Sequence, residues 1–186
     1  MPRILIAYAT IDGQTARVAE RMAATLRGAG HDVTVRRADA AEVGAELGRQ
    51  DAIIVGGGIR YGHHAPALER MVRARLAELA SRPSAFFSVC LSAGGPGARP
   101  ATARAYRAQF LKRTGWRPAI DESFAGALLY TRYNPFIRFM IRLIVGMAGG
   151  DTDTSRDYEY TDWEAVERFA RDFATRIEAR AAAAAD

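Results

Sequence analysis

Three short segments hold the residue types that could do chemistry. In the first, Thr10-Ile11-Asp12-Gly13-Gln14-Thr15, hydroxyls stand at both ends of a turn that contains a glycine and leads into a helical pattern. Hydroxyls, a tight turn and the free amides of a helix N-terminus together can surround a phosphate dianion without a cationic side chain. The segment lacks the Gly-Lys-Ser/Thr ending of a nucleotide phosphate loop and the spacing of the dinucleotide turn. It reads equally as a capped helix start in which Thr10 or Asp12 satisfies the first amides.

The second segment, Gly56-Gly57-Gly58-Ile59-Arg60-Tyr61-Gly62-His63-His64, is rich in glycine, which lets a backbone approach a flat ligand, and Tyr61 could stack on its ring beside the charge of Arg60. A plain glycine-rich turn before a helix near Ala65 and Pro66 is the alternative. The third, Leu91-Ser92-Ala93-Gly94-Gly95-Pro96-Gly97, is small enough to close over a ring, or is simply a flexible loop. His63 and His64 are adjacent and find no third partner at recognisable spacing, so no metal site is expected. They read as solvated or ligand-edge histidines. Cys90 ends an apolar run with no identifiable base near it and reads as an inert buried thiol. No Ser/His/Asp or Cys/His constellation occurs. Acid or base residues stay unnamed, with His63, Tyr61 and Arg60 candidates by location.

The elements that must position these loops follow from the pattern. Apolar runs at 3–9, 32–37, 52–56, 84–90 and 123–128 read as strands, and amphipathic stretches at 14–29, 41–47, 65–80, 102–114 and 162–180 as helices. Thr161 with Glu164 fits a capping box at the start of the last helix. Strict alternation predicts an α/β, doubly wound, five-stranded parallel sheet that binds ligands at the carboxyl ends of its strands. All three segments fall there. The 186 residues suit one domain, with an alanine-rich tail at 179–186.

Net charge is +5, nearly all of it arginine, with Lys112 the only lysine, and the cations are scattered. No nucleic-acid motif accompanies them, so a nucleic-acid partner is not expected. One cysteine and no leader-like N-terminus predict a cytoplasmic protein.

One further stretch stands apart. Nine of the twelve residues from Phe136 to Met147 are large and apolar, and the exceptions, Arg138, Arg142 and Gly146, recur every fourth position. Asn134 and Pro135 start a helix here and Gly149-Gly150 end it. Its length, about 21 Å, falls short of the roughly 30 Å apolar core of a bilayer, so it cannot span. Three readings remain open: a helix in the protein's own core, a dimerisation helix that would make a homo-oligomer, or a cap at a membrane surface or over a substrate.

The phosphate turn, glycine-aromatic segment and small third loop, in that order on five alternating strands, resemble the flavodoxin superfamily, whose cofactor is FMN. Asp12 and Gln14 stand where flavodoxins usually carry a second threonine and an asparagine, and this chain is basic where they are acidic. "TIDGQT", "IRYGHH", "PSAFFSV", "WRP", "RFMIRLI", "GGDTDT" and "YTDWE" together look like the flavodoxin-like, menaquinone-dependent protoporphyrinogen IX dehydrogenases of haem biosynthesis.

That resemblance implies a flavodoxin-like domain over 1–178 with strand order 2-1-3-4-5 and a hydrophobic insertion at 130–157. It implies oxidation of protoporphyrinogen IX with electrons passed to menaquinone or a related quinone, at the inner face of the cell membrane. The FMN phosphate would lie on Thr10, Ile11, Asp12, Gly13, Gln14 and Thr15. The ring would lie between Gly58, Ile59, Arg60, Tyr61 and Gly62 and the loop of Leu91, Ser92, Ala93 and Gly94. Arg132, Arg138 or Arg142 would pair with a substrate propionate. The rival expectations are a flavodoxin-type electron carrier and a quinone reductase.

Overall fold

A computed structural model describes residues 1–40 and 42–183. In chain order the elements are β1 (Arg3–Ala9), α1 (Gln14–Gly28), β2 (Asp32–Arg37), α2 (Val43–Leu47), β3 (Ala52–Arg60), β4 (His63–His64), α3 (Pro66–Ala74), α4 (Leu76–Ser81) and β5 (Ser84–Cys90). They continue with α5 (Pro100–Thr114), β6 (Ile120–Ala125), β7 (Ala127–Leu128), α6 (Pro135–Met147), β8 (Tyr158–Glu159) and α7 (Trp163–Ala183). The main path of the sheet runs β2-β1-β3-β5-β6, every neighbour parallel. With β4 set aside this is the expected order 2-1-3-4-5. It reverses between β1 and β3, so the loops leaving those two strands are neighbours.

Alternation along the buried strands divides the core. Ile4, Ile6, Ile54 and Phe87 face α1 and α7, where Met22, Phe169 and Phe173 meet them. Leu5, Ile53, Val55 and Phe86 face the other way, onto Leu68, Val72, Phe110 and Trp116. Both faces are covered, which explains why these strands read as continuous apolar runs. The tryptophan of "WRP", Trp116, is buried and donates from its ring to Ser84 Oγ at 3.2 Å.

Four local expectations are corrected. β3 does not stop at Gly56. Gly56, Gly57 and Gly58 continue the ladder opposite Phe87, Ser88 and Val89, because their missing side chains leave room for the Phe87 ring, Leu68 and His64. The stretch 65–80 is two helices, broken where Arg75 leaves helical geometry at φ −119° and ψ 23°. Thr161 does not cap the last helix. Asp162 accepts from Ala165 N at 3.0 Å, while the Thr161 hydroxyl turns inward and donates to Ala125 O at 2.9 Å. The weak helix expected from Ala41 begins at Val43, Ala41 itself lying outside the described residues, as do 184–186 of the expected tail.

The apolar helix forms as its signals require. Asn134 Oδ1 accepts from Ile137 N at 2.9 Å and Pro135 holds the first position. At the far end Gly150 N donates to Val145 O and Gly149 N to Gly146 O, the paired bonds of a Schellman stop. The helix is not buried in the core. Ile141 and Val145 pack onto a small cluster with Leu128 and Tyr130, and Ile137 is half-buried, whereas Phe136, Phe139, Met140, Leu143, Ile144 and Met147 lie exposed. Among the described residues no helix is long and apolar enough to cross a membrane.

Candidate functional site

A cavity of about 430 Å³ opens where the loops after β1, β3 and β5 meet under α6. Its floor is the first turn of α1. Gly13 precedes that helix at φ 91° and no side chain caps it, so the first amides of α1, which have no intrahelical acceptor, are left open. The Thr10 hydroxyl accepts from Gly13 N at 3.0 Å, and buried Thr15 lines the cavity beside Gly58. A Cβ on Gly58 would stand 2.9 Å from Thr15 Oγ1, so only glycine lets strand and helix come this close. Two hydroxyls and a row of amides converge on one concavity.

The carboxylate of Asp12 sits at this turn, where it would oppose an anion. Arg60, from the end of β3, offsets it across 3.8 Å and also lies over the Tyr61 ring, 5.4 Å from its centroid. β3 and β4 pair through Arg60 and His63, leaving Tyr61 and Gly62 as a two-residue hairpin loop at φ 51° and 81°. Positive φ at both positions matches a type I′ turn, and tyrosine there is strained. The turn holds the Tyr61 ring 79% exposed at the cavity mouth.

The walls are apolar: Val89, Leu91, Ala127, Leu128, and from α6 Ile141, Ile144 and Val145, with Tyr106 and Tyr133 at the rim. Burial raises the Tyr133 hydroxyl above its ordinary value, and nearby Asp12 adds to the shift. Burial likewise raises the Cys90 thiol, so it stays protonated and unreactive near neutrality.

Of the residues expected from sequence, Thr10, Ile11, Asp12, Gln14, Thr15, Gly58, Ile59, Arg60, Tyr61, Gly62, Leu91 and Ser92 line this cavity; Gly13, Ala93 and Gly94 do not. Gly94 instead lies against Ala125, and Gly95 and Gly97 lie against the Tyr160 ring and the Ala148 carbonyl with no room for a Cβ. Gly95 and Gly97 therefore pack against Tyr160 and the end of α6, while Leu91 and Ser92 of the same loop face the cavity. Leu91–Ala93 is itself a 3-10 turn.

The histidines divide. His63 is exposed, while His64 packs on Phe86 and Phe110 and meets Ser88 Oγ at 2.9 Å. Burial, and secondarily the charge of His63, lowers it to about 3. It is a half-buried side chain packed on core rings, and among the described residues no cluster could hold a metal ion.

None of the three arginines expected to meet a propionate lines the cavity. Arg132 is exposed in a 3-10 turn. Arg138 bonds the Tyr133 carbonyl at 3.2 Å with its Nε buried and unpaired. Arg142 lies on an open apolar shelf with Phe139, Leu143, Gly146, Met147 and Thr152. Sequence reasoning missed Tyr106, Tyr133 and the Gly126–Leu128 wall. The aromatic run Tyr130, Tyr133, Tyr158 and Tyr160 was the available signal, since these rings pack around the insertion.

The profile described as Flavodoxin domain matches residues 5–155. The chain belongs to the flavodoxin family. It is 40% identical over 172 residues to protoporphyrinogen IX dehydrogenase (quinone) of Escherichia coli strain K12, covering 92% of this chain and 94% of that one. A Leishmania major protein of the same name is 39% identical over 177 residues, covering 93% of this chain and 75% of its own. Among solved structures, flavodoxin 2 of Bacillus cereus superposes with a TM-score of 0.56 at 19% identity over 94% of this chain and 99% of that one, which shows the shared fold.

The flavodoxin family's cofactor is FMN, and the residues present fit it. Uncapped amides with two hydroxyls suit a phosphate, and an apolar slot between Tyr61 and the Leu91 turn suits a flat ring.

Proposed function

We propose that this flavodoxin-family chain oxidises protoporphyrinogen IX to protoporphyrin IX with bound FMN and passes the electrons to a membrane quinone. The observation that carries the reading is the roof of the cavity. A helix that is apolar on nearly all sides turns Ile141, Ile144 and Val145 to the site and the rest of its grease outward, while relatives 40% identical over almost the whole chain are named for this reaction.

Bound FMN supplies a two-electron acceptor, and three rounds account for the six electrons of aromatisation. The protein's share is placement. The amides of α1 with Thr10 and Thr15 hold the phosphate end, and Arg60 balances Asp12 there. The turn at Tyr61 and Gly62 sets an aromatic edge at the mouth, and the inner seam of α6 excludes water. Cys90 and Tyr133 stay neutral at pH 7 and put no competing anion in the slot.

Access follows from continuity. Ile144 both lines the cavity and is 49% exposed, so it joins the slot to the apolar arc of Phe136, Phe139, Met140, Leu143 and Met147. We place that arc in the headgroup region of a membrane at its cytoplasmic face, with Arg142 on the flank toward anionic groups of lipid or substrate. A quinone or a tetrapyrrole then passes from one apolar medium to another.

The test is a flavin absorption spectrum of the purified protein, followed by anaerobic porphyrin fluorescence with and without a menaquinone analogue. Yellow protein and quinone-dependent porphyrin formation are expected. A yellow protein that forms no porphyrin under either condition would replace this reading with an electron carrier.

A further inference from the structure

Gln14 is the first residue of α1, directly after the turn that would hold the phosphate, and is only 6% exposed. It lines the cavity, but its side-chain amide is taken up by partners within the protein. Nε2 donates to Glu159 Oε1 and to Thr161 Oγ1, each at 2.8 Å, and Oε1 accepts from Arg17 Nη1 at 3.1 Å. The orientation of the amide is fixed by its partners, because a carboxylate can only accept and a guanidinium can only donate. Thr161 spends its own proton on Ala125 O. Both amide protons are therefore committed, and none remains for a phosphate.

The partners lie on the chain's return from the insertion. Glu159 is in β8, opposite Ala127 of β7, and Ala127 and Leu128 form a wall of the cavity. Arg17 also donates to Glu159 Oε2 at 2.9 Å and lies over the Trp163 ring.

We infer that Gln14 is a positioning residue that braces the helix under the phosphate turn to β8, holding the phosphate cradle and the Ala127–Leu128 wall as one body. This rests on the FMN reading above, and it removes the Gln14 side chain, though not its backbone amide, from the phosphate contacts.

An exchange of charge tests it. In Gln14→Glu two carboxylates meet where one amide bond stood. At pH 8, FMN affinity read by flavin fluorescence quenching is expected to fall about tenfold or more, with faster backbone hydrogen exchange at Ala127 and Leu128 in the flavin-loaded protein. Adding Glu159→Gln to the same chain restores an amide–carboxylate pair and should recover both readouts to within about threefold.

Were the side chain of residue 14 in contact with the phosphate dianion, its carboxylate would repel it whatever stands at 159. A double variant as weak as Gln14→Glu alone, or Gln14→Glu binding like the native chain, overturns the brace. If Gln14→Glu does not fold, Glu159→Ala, on a partly exposed side chain, is expected to reproduce the loss; unchanged affinity there overturns the brace too. A native chain that takes up no FMN removes the proposed function instead, before any substitution is made.

Discussion

An added Cβ on Gly58 would press on the Thr15 hydroxyl at 2.9 Å, with the Ala9 carbonyl behind it at 3.9 Å. Thr15 is buried in the first turn of α1 and has nowhere to retreat without tilting the open amides. Gly58→Ala is therefore expected to weaken FMN binding about tenfold, by displacing one hydrogen-bonding group from the cradle, while leaving the unfolding midpoint nearly unchanged. Fluorescence titration and thermal melts measure the two quantities. His64 gives the opposite pattern, a stability effect away from the site. Burial lowers its folded-state value to about 3 from an ordinary 6.5. Between those values the unfolded chain binds a proton that the folded chain refuses, so stability is complete above pH 6.5 and is lost as pH falls toward 3. From pH 7 to pH 5 the loss from this group is about 2 kcal/mol. His64→Gln keeps a polar partner for Ser88 but does not titrate, and its urea midpoint is expected to fall less over the same interval.

At the scale of elements, what the sequence revealed and what it hid divide by the range of the contacts. The turn at Thr10–Thr15 and the ends of α6 were legible because Asn134, Pro135 and Gly149-Gly150 act on their own backbone neighbours. The hairpin of β3 and β4 was hidden, since three glycines look like a turn until Phe87 and Leu68 from distant elements fill the space above them. The partner of Thr161 was hidden for the same reason: its hydroxyl has a local use as a cap, and the Ala125 carbonyl from another strand won it. The reading of α6 as a membrane contact has its own test. Phe139 and Met147 are 62% and 72% exposed, and neither lines the cavity. Replacing both by serine is expected to leave FMN affinity unchanged and to cut sedimentation with anionic vesicles about tenfold or more, each side chain giving up roughly 1.5 kcal/mol or more of apolar transfer. Vesicle binding equal to that of the native chain would return the arc to another partner.

At the scale of the whole molecule, the site is made by neither face of the sheet alone. The α1 and α7 layer supplies the phosphate cradle, and the sheet edge supplies Gly58 through Gly62 and Leu91. β7 and the α6 insertion that follows it close the third side, tied back through Glu159 and Tyr160. The sequence pattern located each part, because strand order and loop position follow from alternation, but not the side chains that fasten insertion to sheet. A cofactor held by all three parts binds only the folded chain, and its free energy of binding adds to global stability. At a hundredfold excess over its dissociation constant FMN adds about 2.7 kcal/mol. For a chain of this length that corresponds to a rise in Tm of roughly 5–10 °C. Calorimetry with increasing FMN is expected to show one transition moving upward as a unit, in native protein and in Phe139→Ser/Met147→Ser alike. A second transition that stays fixed while the first moves would show that the insertion melts apart from the sheet, and the proposed single binding body would be wrong.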